Sequence, residues 1–353
     1  MTRLKGLDGL RGLAIALVVS YHAFGAPRGG QLSVDLFFVL SGFLITKVLI
    51  DGRQRTGRIS LRAFYGRRVR RVLPALFAML LAVTPSVAHQ AGVAKGLLWS
   101  AAGLAFSANL VMAHASSFAA PLTPLWSLAQ EEQFYLVWPP IVVLLASRRR
   151  ILVGLLATGL AATTLRQIQL VHDGAPTSRI LYAPDTRSMG ILVGCLTALV
   201  LASRHADALV KLARVIAWPA AAMLVGLPFA EHGNELFLGG MLIFTISCAV
   251  VVVRSLDTAS GAARMFGIAP LAYLGRISYS LYLWHLPVLI LFGRGHQFWA
   301  ELLGVAVAVP VAAVSYRYIE QPFLQRRDRV RAPGLQAAPA QLAFEQASLG
   351  SAG

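Results

Sequence analysis

Eleven stretches of this chain are apolar over the roughly 20 residues that a helix needs to cross a bilayer. They fall at 7–25, 32–50, 72–88, 97–114, 125–146, 151–169, 187–203, 213–230, 235–253, 275–293 and 298–318. The expected fold is therefore an all-α polytopic membrane protein. Hydrophobic residues make up 57% and charged ones only 13% of the chain, with a mean hydropathy of +0.65, whereas charged residues approach a quarter of a soluble domain. The net charge of +17 would suggest nucleic acid in a soluble protein. Here the basic residues cluster between apolar runs, as cytoplasmic loops do, and that argues against it. Cys195 and Cys248 lie inside candidate spans and read as small core residues, and no CxxC or HExxH spacing supports a metal site. The basic start resembles a signal peptide, but Asp8 and Arg11 and the lack of a small-x-small cleavage site make it a retained first span.

Charge decides the parity of the spans. If 97–114 does not fully cross, most of the 32 Lys and Arg fall on one side, and if it crosses they divide evenly, erasing the asymmetry expected of membrane proteins. The reading is ten crossings with both termini cytoplasmic. Segment 97–124 becomes a re-entrant or outer-face element, tolerated where protein or water covers its backbone. Residues 1–331 form the membrane domain, and 332–353, rich in Ala, Gln, Pro and Ser, a flexible cytoplasmic tail. No repeat of 20–50 residues is visible.

Ionisable residues inside apolar runs mark function, because each costs roughly 2.5–3.5 kcal/mol at membrane depth. Glu131 and Glu132 lie side by side in PLWSLAQEEQFYLVWPP, and helical rise puts Glu131 about 9 Å below Leu125. His22, about 22 Å above Leu7, is at a compatible depth. Asp35 starts the next span from the same side. A histidine oriented by a carboxylate is the arrangement a general base for a hydroxyl nucleophile requires; the alternative is that His22 bonds a backbone carbonyl and Asp35 caps a helix. The loop 47–71 carries nine basic residues and one acid, Asp51. Within it, Arg68 and Arg71 share a helix face and can grip a phosphate, or serve as stop-transfer charge. Asp8 and Arg11, also one turn apart, can neutralise each other. In GRISYSLYLWH, Ser280 could hydrogen-bond a sugar that stacks on Tyr282 or Trp284, unless these aromatics anchor the interface. His285 closes that block, and Glu320 in YRYIEQPF is as suited to clamping Arg317 as to catalysis.

Six blocks, LDGLRGLAIALVVSYH, VDLFFVLSGFLI, FYGRRVRRVLPAL, PLWSLAQEEQFYLVWP, LGRISYSLYLWHLPVL and YRYIEQPF, stand in an order that resembles the acyltransferase 3 family of integral membrane O-acyltransferases, over about residues 7–323. The resemblance implies transfer of an acyl group, usually acetyl from acetyl-CoA, to a hydroxyl of a glycan, lipid-linked sugar or sugar-bearing metabolite in a bacterial cytoplasmic membrane. It implies no tightly bound cofactor. His22 matches the catalytic histidine, with Asp35 and Glu131 as its expected helpers. Arg68 and Arg71 match the RxxR motif implicated in donor use, and Arg11 the arginine of the GLRG motif. Trp126, Ser127 and Glu132, with Ser280, Tyr282 and His285, are acceptor-site candidates. Where many members have a histidine two residues before the tryptophan, this chain has Pro124. The chain ends soon after the tenth span, so the expectation is an enzyme working without the fused hydrolase-like domain of longer members. A transporter or flippase is the competing class, since buried charges and broken helices suit it equally.

Overall fold

The computed structural model describes residues 4–114, 117–230, 234–292 and 297–329, and among them every regular element is a helix. The expected tail, 332–353, lies outside the described residues. Helix α1, Lys5–Phe24, stops at Gly25, whose φ of +65° suits glycine and returns its N–H to the Tyr21 carbonyl. Helix α2, Ser33–Thr56, ends in the same way at Gly57. Helix α3, Leu61–Ala91, is capped by Ser60, whose hydroxyl accepts from the Ala63 amide. At 31 residues it extends past the hydrocarbon, carrying its arginine-rich first turns beyond the apolar layer.

The expected non-crossing element is built from two short helices, α4 (Val93–Leu104) and α5 (Ala108–His114). The chain breaks between them at Phe106, which adopts a left-handed φ of +53°. Neither helix is long enough to cross. Gln133 ties the break down by donating to the Phe106 carbonyl (2.7 Å) and pairing with Asn109. Helix α6, Leu125–Leu145, follows, then α7 (Arg149–His172), two short helices α8 (Thr177–Tyr182) and α9 (Pro184–Arg187), and α10 (Met189–Leu201). Helices α11 (Ala206–Val215) and α12 (Ala217–Gly226) meet at a 65° bend. The chain continues through α13 (Gly240–Leu256), α14 (Gly261–Phe266), α15 (Ala269–Leu291) and α16 (Phe298–Ser315). A single π turn, Tyr316–Glu320, leads into α17, Gln321–Arg329.

Two glycine-mediated contacts set the frame. A Cβ at Gly275 on α15 would fall 1.7 Å from the Asp8 carbonyl oxygen of α1, and one at Gly194 on α10 would fall 2.1 Å from that of Val39 on α2. Such backbone approach, reserved for small residues, is how apolar helices associate when lipid offers no hydrophobic driving force. Among the described residues, five helices are long and apolar enough to span a membrane, or six if α11 and α12 are one bent span. The ten expected crossings outnumber these for a physical reason. Helices α6 and α15 are long enough but spend their apolarity on the polar residues of the site, and α10 and α13 are apolar but short.

Candidate active site

Between α2, α3, α6 and α15 lies a cavity of about 350 Å³, with Arg11, Arg67, Arg68, Arg70 and Arg71 in its wall and Glu131 the one acid there. Arg68 and Arg11 tie neighbouring helices together. Arg68 donates to Glu132 through Nε (2.6 Å) and Nη2 (2.5 Å), approaches Glu131 at 3.6 Å, and lies over the Tyr135 ring at 3.8 Å. Arg11 donates twice to Ser278 Oγ of α15 (3.3 and 3.1 Å). Arg70 and Arg71 make no ion pair among the described residues. The expectation that Arg68 and Arg71 form one phosphate grip is therefore corrected: Arg68 clamps α3 to α6, and Arg70 and Arg71 supply the open positive charge.

Glu131, expected at a depth compatible with that of His22, has Arg68 as its charged neighbour. The first six residues of α6, Leu125–Gln130, are all buried, so the helix begins inside the bundle rather than at its surface and carries Glu131 along the interior. There it meets Arg68 and the arginine cavity. Tyr135, one turn on, is hydrogen-bonded to Ser41 of α2, which fixes the cavity's inner wall.

His22 lies eleven residues beyond Arg11, about 16 Å along the same face of α1. Its Nδ1 is 2.8 Å from the Val18 carbonyl, so this nitrogen carries the proton and donates, and the basic lone pair is on Nε2. His285, fully buried on α15, donates from Nδ1 to the Tyr282 carbonyl (2.8 Å) and presents Nε2 to His22 Nδ1 at 3.4 Å. The two rings are 5.1 Å apart. A neutral His285 so fixed can accept the second branch of the His22 N–H and strengthen it when His22 becomes cationic. Ser278, Tyr282 and His285 recur at helical spacing, which aligns them against the Arg11–His22 face of α1. Phe37 of α2 lines the cavity and packs on Tyr282 (6.3 Å), and Tyr282 packs on His285 (5.7 Å). The cavity and the histidine pair are thus separated by these two rings. The Tyr282 hydroxyl is held by Ser127 at 2.6 Å.

The expected His22–Asp35 dyad does not form. Asp35, 1% exposed, pairs with Arg187, 3% exposed, at 2.9 Å. Arg187 closes α9 just before α10 and lies over Trp126 at 5.5 Å, and its buried guanidinium takes the Asp35 carboxylate as counter-charge. Ser280 is likewise corrected from sugar contact to lock: it is fully buried and donates to the buried Glu320 carboxylate of the π turn (3.1 Å). Arg317, the proposed clamp for Glu320, donates to Gln321 instead (2.9 Å). Trp126 is buried against Phe38 and Tyr182, and Ser127 is spent on Tyr282, so neither faces an open acceptor site. Glu132 is the Arg68 clamp.

Sequence reasoning missed Arg187, Ser41, Tyr135 and Ser278. Arg187 had a signal: a lone cation at the mouth of an apolar run, counted as a topology charge when Asp35 needed a partner. On the connection before α10, Asp185 accepts two hydrogen bonds from Arg179 (2.8 and 2.6 Å), which hold its carboxyl below the usual range and steady the turn that delivers Arg187.

The fold and site define an integral membrane protein whose interior holds a cationic cavity and, beyond the Phe37 and Tyr282 rings, a histidine pair. The chain belongs to the acyltransferase 3 family, whose acyltransferase domain matches residues 4–317. It is similar to the peptidoglycan O-acetyltransferase OatA of Listeria monocytogenes, 32% identical over 343 residues that cover 90% of this chain and 55% of that protein. The O-acetyltransferase OatA of Staphylococcus aureus is 30% identical over 349 residues, covering 92% of this chain and 57% of that protein. YrhL of Bacillus subtilis, which carries a provisional peptidoglycan O-acetyltransferase name, is 34% identical over 349 residues, covering 90% and 54%. The chain spans about half the length of these relatives. No solved structure matches it.

Proposed function

We propose that the chain transfers an acetyl group from acetyl-CoA to a hydroxyl of a cell-wall glycan, peptidoglycan being the acceptor that the relatives' names favour. The observation that carries this reading is the single line along α1, with the arginine cavity at one end and His22, backed by His285, at the other. The nucleotide phosphates of the donor sit against Arg71 and Arg70, with the cytoplasm on that side under the charge-asymmetry argument. The pantetheine arm extends past Phe37 and Tyr282 toward His22. The acceptor hydroxyl gives its proton to His22 Nε2 as its oxygen bonds the thioester carbonyl carbon. The C–S bond then breaks, and the proton passes from His22 to the departing thiolate. A thioester is already activated, so holding both reactants at His22 accounts for much of the acceleration.

Arg71→Ala is expected to raise the apparent KM for acetyl-CoA by about tenfold with kcat little changed, because charge-assisted phosphate bonds contribute roughly 1.5–3 kcal/mol each. The measurement is initial rate against donor concentration in detergent-solubilised protein. A normal KM with poor membrane insertion would return Arg71 to a stop-transfer role.

Orientation is tested on a Cys195→Ser, Cys248→Ser background. A cysteine at His172, whose side chain is 88% exposed, should react with an impermeant maleimide added to intact cells, and one at Gly52 should not. The reverse pattern would invert the assignment of the donor cavity to the cytoplasm.

A further inference from the structure

We propose that a second cleft, of about 250 Å³ where the ends of α2, α6, α7 and α10 meet, binds the phosphate headgroup of an anionic phospholipid from the adjoining leaflet. It shares no lining residue with the donor cavity. Its polar edge holds Arg53 and Arg149, and its walls include Ile59, Val142, Leu152 and Leu199, with no acidic residue among them.

Arg149 donates through Nη1 to the Ala202 carbonyl at the end of α10, which fixes its fork and leaves its other N–H groups to face an anion. Arg53 is half-buried and its guanidinium makes no hydrogen bond or ion pair among the described residues. The nearest acid on its helix, Asp51, is already paired with Lys47 at 3.1 Å. Exposed Arg55, Arg58, Arg148 and Arg150 add a positive field around the mouth. Two half-sheltered guanidiniums above an apolar wall, at the end of membrane helices, match the two parts of a phospholipid: phosphate at the rim and acyl chain along the wall. A soluble anion would use the arginines and leave the apolar wall wet.

The test is native mass spectrometry of the full chain in detergent, comparing retention of phosphatidylglycerol and phosphatidylcholine with identical acyl chains. One phosphatidylglycerol should be held in preference. Arg53→Ala should weaken that binding about fivefold, the effect of one basic residue at an anionic surface. Ile59→Trp, which fills the wall and keeps both arginines, should weaken both lipids. Equal retention of the two lipids, or phosphatidylglycerol binding unchanged in both variants, overturns the proposal. So does displacement of phosphatidylglycerol by an equal concentration of inorganic phosphate, which would mark a site for a soluble anion.

Discussion

His22→Ala should leave the chain inserted and folded while lowering acetyl transfer by about a thousandfold or more, within the range that positioned general bases supply. The side chain is only partly buried and the main bond of its Nδ1–H is to a carbonyl of its own helix, so its removal opens little core and costs His285 only the longer contact at 3.4 Å. His285→Asn should cost less, about ten- to a hundredfold, and mainly in kcat, because it removes the group behind the base and not the base. The assay is acetyl transfer from labelled acetyl-CoA to a glycan fragment, with detergent-phase gel filtration as the check on folding. Retention of transfer within a few-fold in His22→Ala would show that the chemistry lies elsewhere, and Glu131 would be the next base to test.

The ordered blocks of the sequence and the structure agree on which segments build the interior. Apolar windows located the helices, and the asymmetry of Lys and Arg singled out 97–124, which forms two helices too short to cross. What sequence could not supply was pairing between segments remote in the chain. Asp35 and His22 are thirteen residues apart across a short loop, and nearness made them natural partners, yet Arg187, 152 residues on, takes the carboxylate. The partner of His22 comes from still farther, 263 residues away on α15. The setting of α6 is hidden from the sequence for a related reason. Counting rise from Leu125 treats the start of α6 as surface, whereas Leu125–Gln130 are all buried in the bundle, and Glu131 faces the arginine cavity while Glu132 clamps Arg68. Ser280 shows the limit of local composition: hydroxyls among aromatics suggest a sugar site, but Glu320, brought in by the π turn, claims that hydroxyl.

Asp35→Ala should destabilise the folded chain by about 3–5 kcal/mol, because it leaves the Arg187 guanidinium buried without its counter-charge. The pair is costly even when intact: among the described residues Asp35 Oδ1 and Arg187 Nε have no hydrogen-bond partner. Replacing both residues with apolar ones of similar volume, Asp35→Leu with Arg187→Met, should therefore recover most of the stability lost in the single variant. The measurement is the half-life of monodisperse protein in detergent at a fixed elevated temperature, since unfolding of such proteins is a rate and not a reversible equilibrium. Activity separates the two roles that Asp35 could have. As the anchor of Arg187, it should lose stability in Asp35→Ala and regain both stability and transfer in the double variant. If it instead orients His22, Asp35→Ala would be as stable as the parent and catalytically crippled, and the double variant would be no more active than the single one.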